Sequence, residues 1–303
     1  MASQEGGELS GPSGPGAASA AGRAGAAADA RADAAADARA GAAVGARAGA
    51  SAAGLPAERS APRRRASRLR LAALLLVALL PSFLKRPCYR LLFGYRIGRR
   101  VSIGLTLLDA GECHIGDDVR IGHLNAVVGV GRLSIGEHAR VGHLNVLRGG
   151  DEIRLGRYSE IIRLNEINSI PDPEVVNPIE PVFVLGDGAV VTAGHKIDFT
   201  DRVEIGRRTI LGGRNSSLWT HNRQRTRPVL VGELSYIGSE IRVAPGGVIP
   251  SRCIVGIGSV VTGRLEGEYL LIGGVPAKPI KRLSEEDRFL IEHKTRADLP
   301  DDL

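Results

Sequence analysis

From residue 97 onward the chain repeats in units whose aliphatic residues stand six positions apart, often followed by glycine. The pairs Ile97-Gly98, Ile115-Gly116, Ile135-Gly136, Leu155-Gly156, Leu185-Gly186, Ile205-Gly206 and Val231-Gly232 mark it, at gaps of 18, 20, 20, 30, 20 and 26 residues. A second aliphatic follows six residues into each unit: Ile103, Ile121, Val141, Ile161, Val191, Leu211 and Ile237. A period of six fits neither a helix face nor a simply alternating strand. It fits a triangular coil in which each hexapeptide is one short strand and one corner. Three hexapeptides make a turn of about 18 residues, and turns stack at the inter-strand spacing of ~4.8 Å. Each coil buries its aliphatics only against its neighbours, so several are needed for stability. The period predicts a mainly β solenoid over residues 97–275. An aromatic share of 4% agrees with a core of stacked aliphatics.

A further column lies ten residues past the first aliphatic of successive coils. It reads Asn125, Asn145, Asn165, His195 and Asn215. Stacked amides can bond up and down such a column, and His195 interrupts it. Two interruptions lengthen coils, and such loops carry function more often than regular coils do. Residues 166–184 contain four prolines and predict a stiff projecting loop. Residues 217–228 (SLWTHNRQRTRP) hold the single tryptophan and His221.

The remainder divides by composition. Residues 1–66 are mostly Ala, Gly, Ser and Arg with few large apolar side chains, a composition expected to stay disordered. Between Arg59 and Arg100 stand twelve Lys or Arg and no acid, whereas the whole chain carries only +7. This basic window flanks an apolar run, Leu71 to Leu80, about half the length that spans a bilayer. Residues 67–96 are therefore expected to form a helix. It would lie on an anionic membrane surface or cap the solenoid, and both readings stay open. A basic block without interleaved aromatics argues against nucleic acid as partner. Cys88, Cys113 and Cys253 are isolated and suit a reducing cytoplasm. Residues 276–303 are expected to hold a short helix, with Ser284 as N-cap and Asp287 three residues on.

Over residues 97–283 the chain resembles the hexapeptide-repeat acyltransferases, especially the O-acetyltransferases of surface polysaccharides such as the colanic-acid type. The resemblance rests most specifically on IGSVVT (257–262) followed by GGVPAKPIKRL (273–283). The segments TAGHKIDFTDRVEIG (192–206) and LWTHN (218–222) add to it. It implies a left-handed parallel β-helix, a homotrimer, acetyl-CoA as acyl donor and a sugar hydroxyl of a glycan or its lipid-linked precursor as acceptor. No metal is expected, and the location implied is cytoplasmic, with peripheral contact to the inner face of the membrane through residues 67–90.

The implied chemistry is direct acyl transfer, which needs a general base for the acceptor hydroxyl. Histidine suits this. His221, in the extended loop, and His195, with Asp198 three residues on, are the two candidates. The resemblance also assigns the donor's pantetheine arm to Gly238, Ser239, Gly256 and Ser259, and its adenine and phosphates to Pro276 and Lys278. Lys281 and Arg282 add positive charge there, and Arg223, Arg225 and Arg227 could meet an acidic acceptor. Three alternatives remain: acetylation of a small acceptor such as serine or an antibiotic, a zinc carbonic-anhydrase-like β-helix enzyme, and a non-catalytic scaffold. His123 and His143, in repeated GHLN segments, are expected to be structural.

Overall fold

The computed structural model describes residues 68–170, 179–292 and 299–300. The expected tail over residues 1–66 and the proline-rich loop at 171–178 lie outside the described residues.

The 67–96 region forms two helices, α1 (Arg68–Leu79) and α2 (Ser82–Phe93), divided at Pro81. Proline cannot donate to a continuing helix but suits the start of the next one. Gly94, at φ 70°, closes α2 in the left-handed conformation glycine accepts most readily. The chain then enters a parallel β-solenoid whose short strands stack on three faces. One face runs through Arg96–Ile97, Glu152–Leu155, Val182–Leu185, Val203–Ile205 and Val229–Val231. The second runs from Ser102–Ile103 through Glu160–Arg163 and Val190–Ala193 to Leu270–Gly273. The third carries Val146–Arg148, Glu166–Asn168, Lys196–Asp198, Ser217–Trp219, Arg242–Val243 and Val260–Val261. Two longer strands, Thr106–Ile115 and Asn125–Ile135, bend round a corner and join the first and third faces.

Every sixth-residue aliphatic points inward. Ile161, Val191, Leu211 and Ile237 stack in exact register on the second face and are at most 2% exposed. Corners are turned by left-handed residues such as Asp118, His138 and Tyr158. The N–H of each donates to a carbonyl of the preceding coil at 2.9–3.0 Å, which offsets the cost of that conformation.

A solenoid leaves an unpaired strand edge at each end, and both are covered here. At the start, Ser82 Oγ accepts the Ile103 N–H at 3.0 Å, and the buried Lys85 ammonium donates to the carbonyls of Ile103 and Gly104. Leu74, Tyr89 and Tyr95 fill the space above the first coil. Arg70 reaches Asp109 at 3.1 Å and the Ala110 carbonyl at 2.7 Å. At the far end the GVPAK segment turns back through a cis Val275-Pro276 bond. Strand Lys278–Arg282 then pairs antiparallel with Leu270–Gly273. Helix α3 (Glu285–Glu292) follows, with Ser284 and Asp287 bonding reciprocally at its start.

Candidate active site

The polar column is a ladder in which each side chain accepts the next coil's backbone N–H. Asn125 Oδ1 accepts from Asn145 N at 2.9 Å, Asn145 Oδ1 from Asn165 N at 3.0 Å, and Asn165 Oδ1 from His195 N at 3.0 Å. His195 does not interrupt this chain of bonds. Its Nδ1 accepts the Ser216 N–H at 3.1 Å, and Ser216 Oγ in turn accepts the Ile241 N–H at 3.2 Å. The column therefore continues at Ser216 and not at Asn215, a correction to the ten-residue spacing. The register slips by one residue between Val191 and Ala193, so that Ala193 faces Arg214. Asn215 occupies the left-handed corner at φ 61° instead.

His195 is fully buried. Because Nδ1 accepts a backbone N–H, the ring carries its proton on Nε2, which lies 3.0 Å from Thr192 Oγ1. Burial holds its pKa down to about 4, so the ring is neutral. Asp198, its proposed partner at i+3, turns elsewhere.

Asp198 ends strand Lys196–Asp198 and pairs in parallel register with Trp219, the last residue of Ser217–Trp219. Two residues beyond Trp219 the chain reaches His221, whose Nδ1 lies 2.6 Å from Asp198 Oδ2. Five further donors surround this carboxylate, among them the His221 backbone N–H at 3.3 Å. Thr200 gives its N–H at 3.2 Å and hydroxyl at 2.6 Å, and Thr220 its N–H at 3.1 Å and hydroxyl at 3.0 Å. A buried carboxylate this well supplied is fixed in place. With Asp198 accepting from Nδ1–H, the lone pair of His221 is on Nε2. That nitrogen has no hydrogen-bond partner among the described residues, and the side chain is 28% exposed.

The loop after His221 is a tight reversal. Arg227 N donates to Thr220 O at 2.8 Å, and Asn222 Oδ1 accepts the N–H groups of Gln224 and Arg225. Trp219 is 42% exposed beside it. Extra length in the sequence pointed to this loop. What sequence reasoning missed was the Thr200–Thr220 cradle around Asp198, since the register that assembles it joins residues about 20 apart.

Where the second face ends and the chain turns towards the third, Leu211, Ile237, Val255 and Ile272 stand in register, so Gly212, Gly238, Gly256 and Gly273 stack in one corner. A Cβ on Gly256 would meet nothing closer than 3.6 Å, so the surface beside it is open. The N–H groups of Gly238 and Gly256 donate to Val255 O and Ile272 O, and the buried Ser259 hydroxyl to Gly256 O at 2.6 Å. Pro276, Lys278, Lys281 and Arg282 are exposed. The strand Ser217–Trp219 separates this corner from His221 within one protomer.

His123 and His143 stack with ring centroids 5.7 Å apart, and their Nδ1 atoms accept the N–H groups of Leu105 and His123. Their role is a second ladder. Among the described residues no group of three or more His, Cys, Asp or Glu side chains converges as a metal site.

No family model matches the chain. Over 60 residues it is 38% identical to WbbJ of Escherichia coli (strain K12), a protein whose name assigns it to lipopolysaccharide biosynthesis as an O-acetyl transferase. The match covers 20% of this chain and 30% of that relative's length. Among solved structures, UDP-N-acetylglucosamine O-acyltransferase of Moraxella catarrhalis aligns with 64% of this chain and 75% of its own, at 17% identity and TM-score 0.39. A hexapeptide-repeat acetyltransferase of Vibrio cholerae, complexed with acetyl coenzyme A, aligns with 73% and 92%, at 17% identity and TM-score 0.23. At those scores neither adds to what the chain's own coils show. The coils and the 60-residue match together support the hexapeptide-repeat acyltransferase resemblance.

Proposed function

We propose that this protein transfers an acetyl group from acetyl-CoA to a sugar hydroxyl of a cell-surface polysaccharide or its lipid-linked precursor. The observation that carries the reading is the Asp198–His221 pair, with Nδ1 held at 2.6 Å and Nε2 open. In this reading Nε2 takes the proton of the acceptor hydroxyl as its oxygen attacks the thioester carbonyl. The tetrahedral intermediate collapses, the C–S bond breaks, and the proton passes to the departing CoA sulfur. Asp198 fixes the tautomer and stabilises the imidazolium while it exists. No covalent enzyme intermediate is needed.

The stacked glycine corner would take the pantetheine arm, through Gly238 and Ser239 and then Gly256. Ser259 would support this corner through its bond to the Gly256 carbonyl. Pro276 would meet the adenine, and Lys278, Lys281 and Arg282 the phosphates. Corner and base stand at opposite ends of Ser217–Trp219, about 10 Å apart at ~3.3 Å per residue. The reading therefore requires the homotrimer, in which His221 of one protomer faces the corner of the next. It also puts the enzyme in the cytoplasm, at the inner face of the membrane.

The test is calorimetric titration of acetyl-CoA into the full chain, with acetyl transfer to glycan acceptors measured alongside. The expected result is micromolar binding that His221→Ala retains while transfer is lost. Absence of CoA binding would sink the reading and leave a scaffold. Bound zinc at about one per chain, with no CoA binding, would favour the metalloenzyme.

A further inference from the structure

The helical cap has two sides, and only one of them is used by the solenoid. On α1, Leu74, Val77 and Ala78 face the first coil. The opposite side carries Leu69, Leu75, Leu76 and Leu79, of which Leu76 is 68% and Leu79 71% exposed. On α2, Lys85 and Tyr89 face inward, whereas Phe83 and Leu91, two turns apart, are 76% and 85% exposed. A helix that is apolar all round is normally buried all round. Here half of that surface has no partner among the described residues, and contiguous exposed apolar patches of this kind mark a docking site.

The surrounding charge selects the occupant. Neither helix has an acid in its first turn, α1 carries the exposed Arg68, α2 the half-buried Arg86 and the exposed Arg90, which also donates to the Ile97 carbonyl, and no acidic residue occurs from Arg59 to Arg100. A second copy of this face would bring like charges together. An anionic bilayer offers apolar depth and negative charge at once. At 12 residues each, the helices are too short to cross it, and no described helix is long and apolar enough to do so.

We infer that the outer side of α1 and α2 is a membrane-docking surface for anionic lipid, and that the solenoid meets the bilayer end-on. The inference stands whichever reaction the site performs. Its geometry sets the height of the candidate site. Ser217–Trp219 is the sixth strand along its face from the capped end, counting Thr106–Ile115 as the first. Five coil rises therefore place Trp219 roughly 24 Å above the first coil. An acceptor sugar reached there would be held well clear of the lipid headgroups.

The experiment uses the full chain with vesicles of phosphatidylcholine, with and without phosphatidylglycerol. Co-sedimentation is expected only with the anionic vesicles, weakened by salt, and roughly tenfold weaker for Leu76→Glu or Phe83→Glu. These substitutions sit on exposed positions, and an unchanged β-sheet circular dichroism signal confirms folding. Absence of vesicle binding overturns the inference. Binding that ignores both substitutions overturns it too, because another part of the chain then holds the lipid. A changed oligomeric state in the two variants, without a change in vesicle binding, would give the face to a second copy. Trp219 is the chain's single tryptophan, so brominated lipids report the orientation. End-on docking leaves its fluorescence unquenched and quenches Leu76→Trp in a Trp219→Phe background. Quenching of Trp219 itself would mean side-on docking and overturn the end-on geometry.

Discussion

The two histidines that competed for one role stand one coil apart and differ in every respect that chemistry uses. His195 is enclosed in the ladder, with both ring nitrogens within 3.1 Å of protein partners. His221 stands where the loop leaves the coil, with one nitrogen tied to a buried carboxylate and the other open. In the ladder a nitrogen lone pair substitutes for an amide oxygen, so the imidazole acts as a neutral acceptor. In the loop the same ring is held in the other tautomer. The environment, and not the residue type, separates a structural histidine from a candidate base.

The sharpest way to break that contrast is to remove each ring in turn. His221→Ala is expected to lower acetyl transfer by about 10³-fold, within the range for a lost general base, and to leave thermal stability nearly unchanged. Asp198→Asn is expected to cost on the order of 10²-fold, because the amide no longer dictates which nitrogen carries the proton. Steady-state rates on a common acceptor, with melting curves of each variant, measure both. Equal losses for His195→Ala and His221→Ala, at unchanged stability, would erase the distinction.

His195→Ala should act on stability instead. It leaves the buried Ser216 N–H without an acceptor and opens a cavity, a loss of about 2–4 kcal/mol. His195→Asn sharpens the point. Asparagine is the residue the column uses in three preceding coils, and its Oδ1 can accept the same N–H, so most of the loss should be recovered. Urea midpoints for the three proteins read the difference directly.

Much of this was legible in the sequence because a solenoid is nearly one-dimensional. The sixth-residue aliphatics gave the coils, since each inward position repeats along a face with no long-range choice to make. Extra length in one coil pointed to the His221 loop. The Asp198 assignment was not legible, because i+3 spacing along the chain suggested His195 while parallel register brought Asp198 beside Trp219. The slip that moved Ser216 into the ladder was hidden by the adjacent glycines, Gly212 and Gly213, where one extra residue fits a corner. The cap was ambiguous for a physical reason. A short apolar helix bordered by arginines suits a solenoid end and a bilayer equally, and this one has a side for each.

The last expected effect follows from the protonation of the ladder histidine. The folded pKa of His195 is lowered to about 4, against 6.5 for the exposed ring. Between those values the unfolded chain binds a proton that the folded chain refuses, so stability rises with pH across the window. The contribution is complete above about pH 6.5 and is lost progressively as pH falls towards 4. Below that the folded ring also charges, its Nδ1 can no longer accept the Ser216 N–H, and the ladder breaks at that rung. His195→Asn has no titrating group in the column, so its urea midpoint should fall less than that of the wild type between about pH 7 and about pH 4.5. Parallel acid sensitivity in the two proteins would mean that the ring at this rung is charged or solvated, and the separation of roles between His195 and His221 would lose its electrostatic basis.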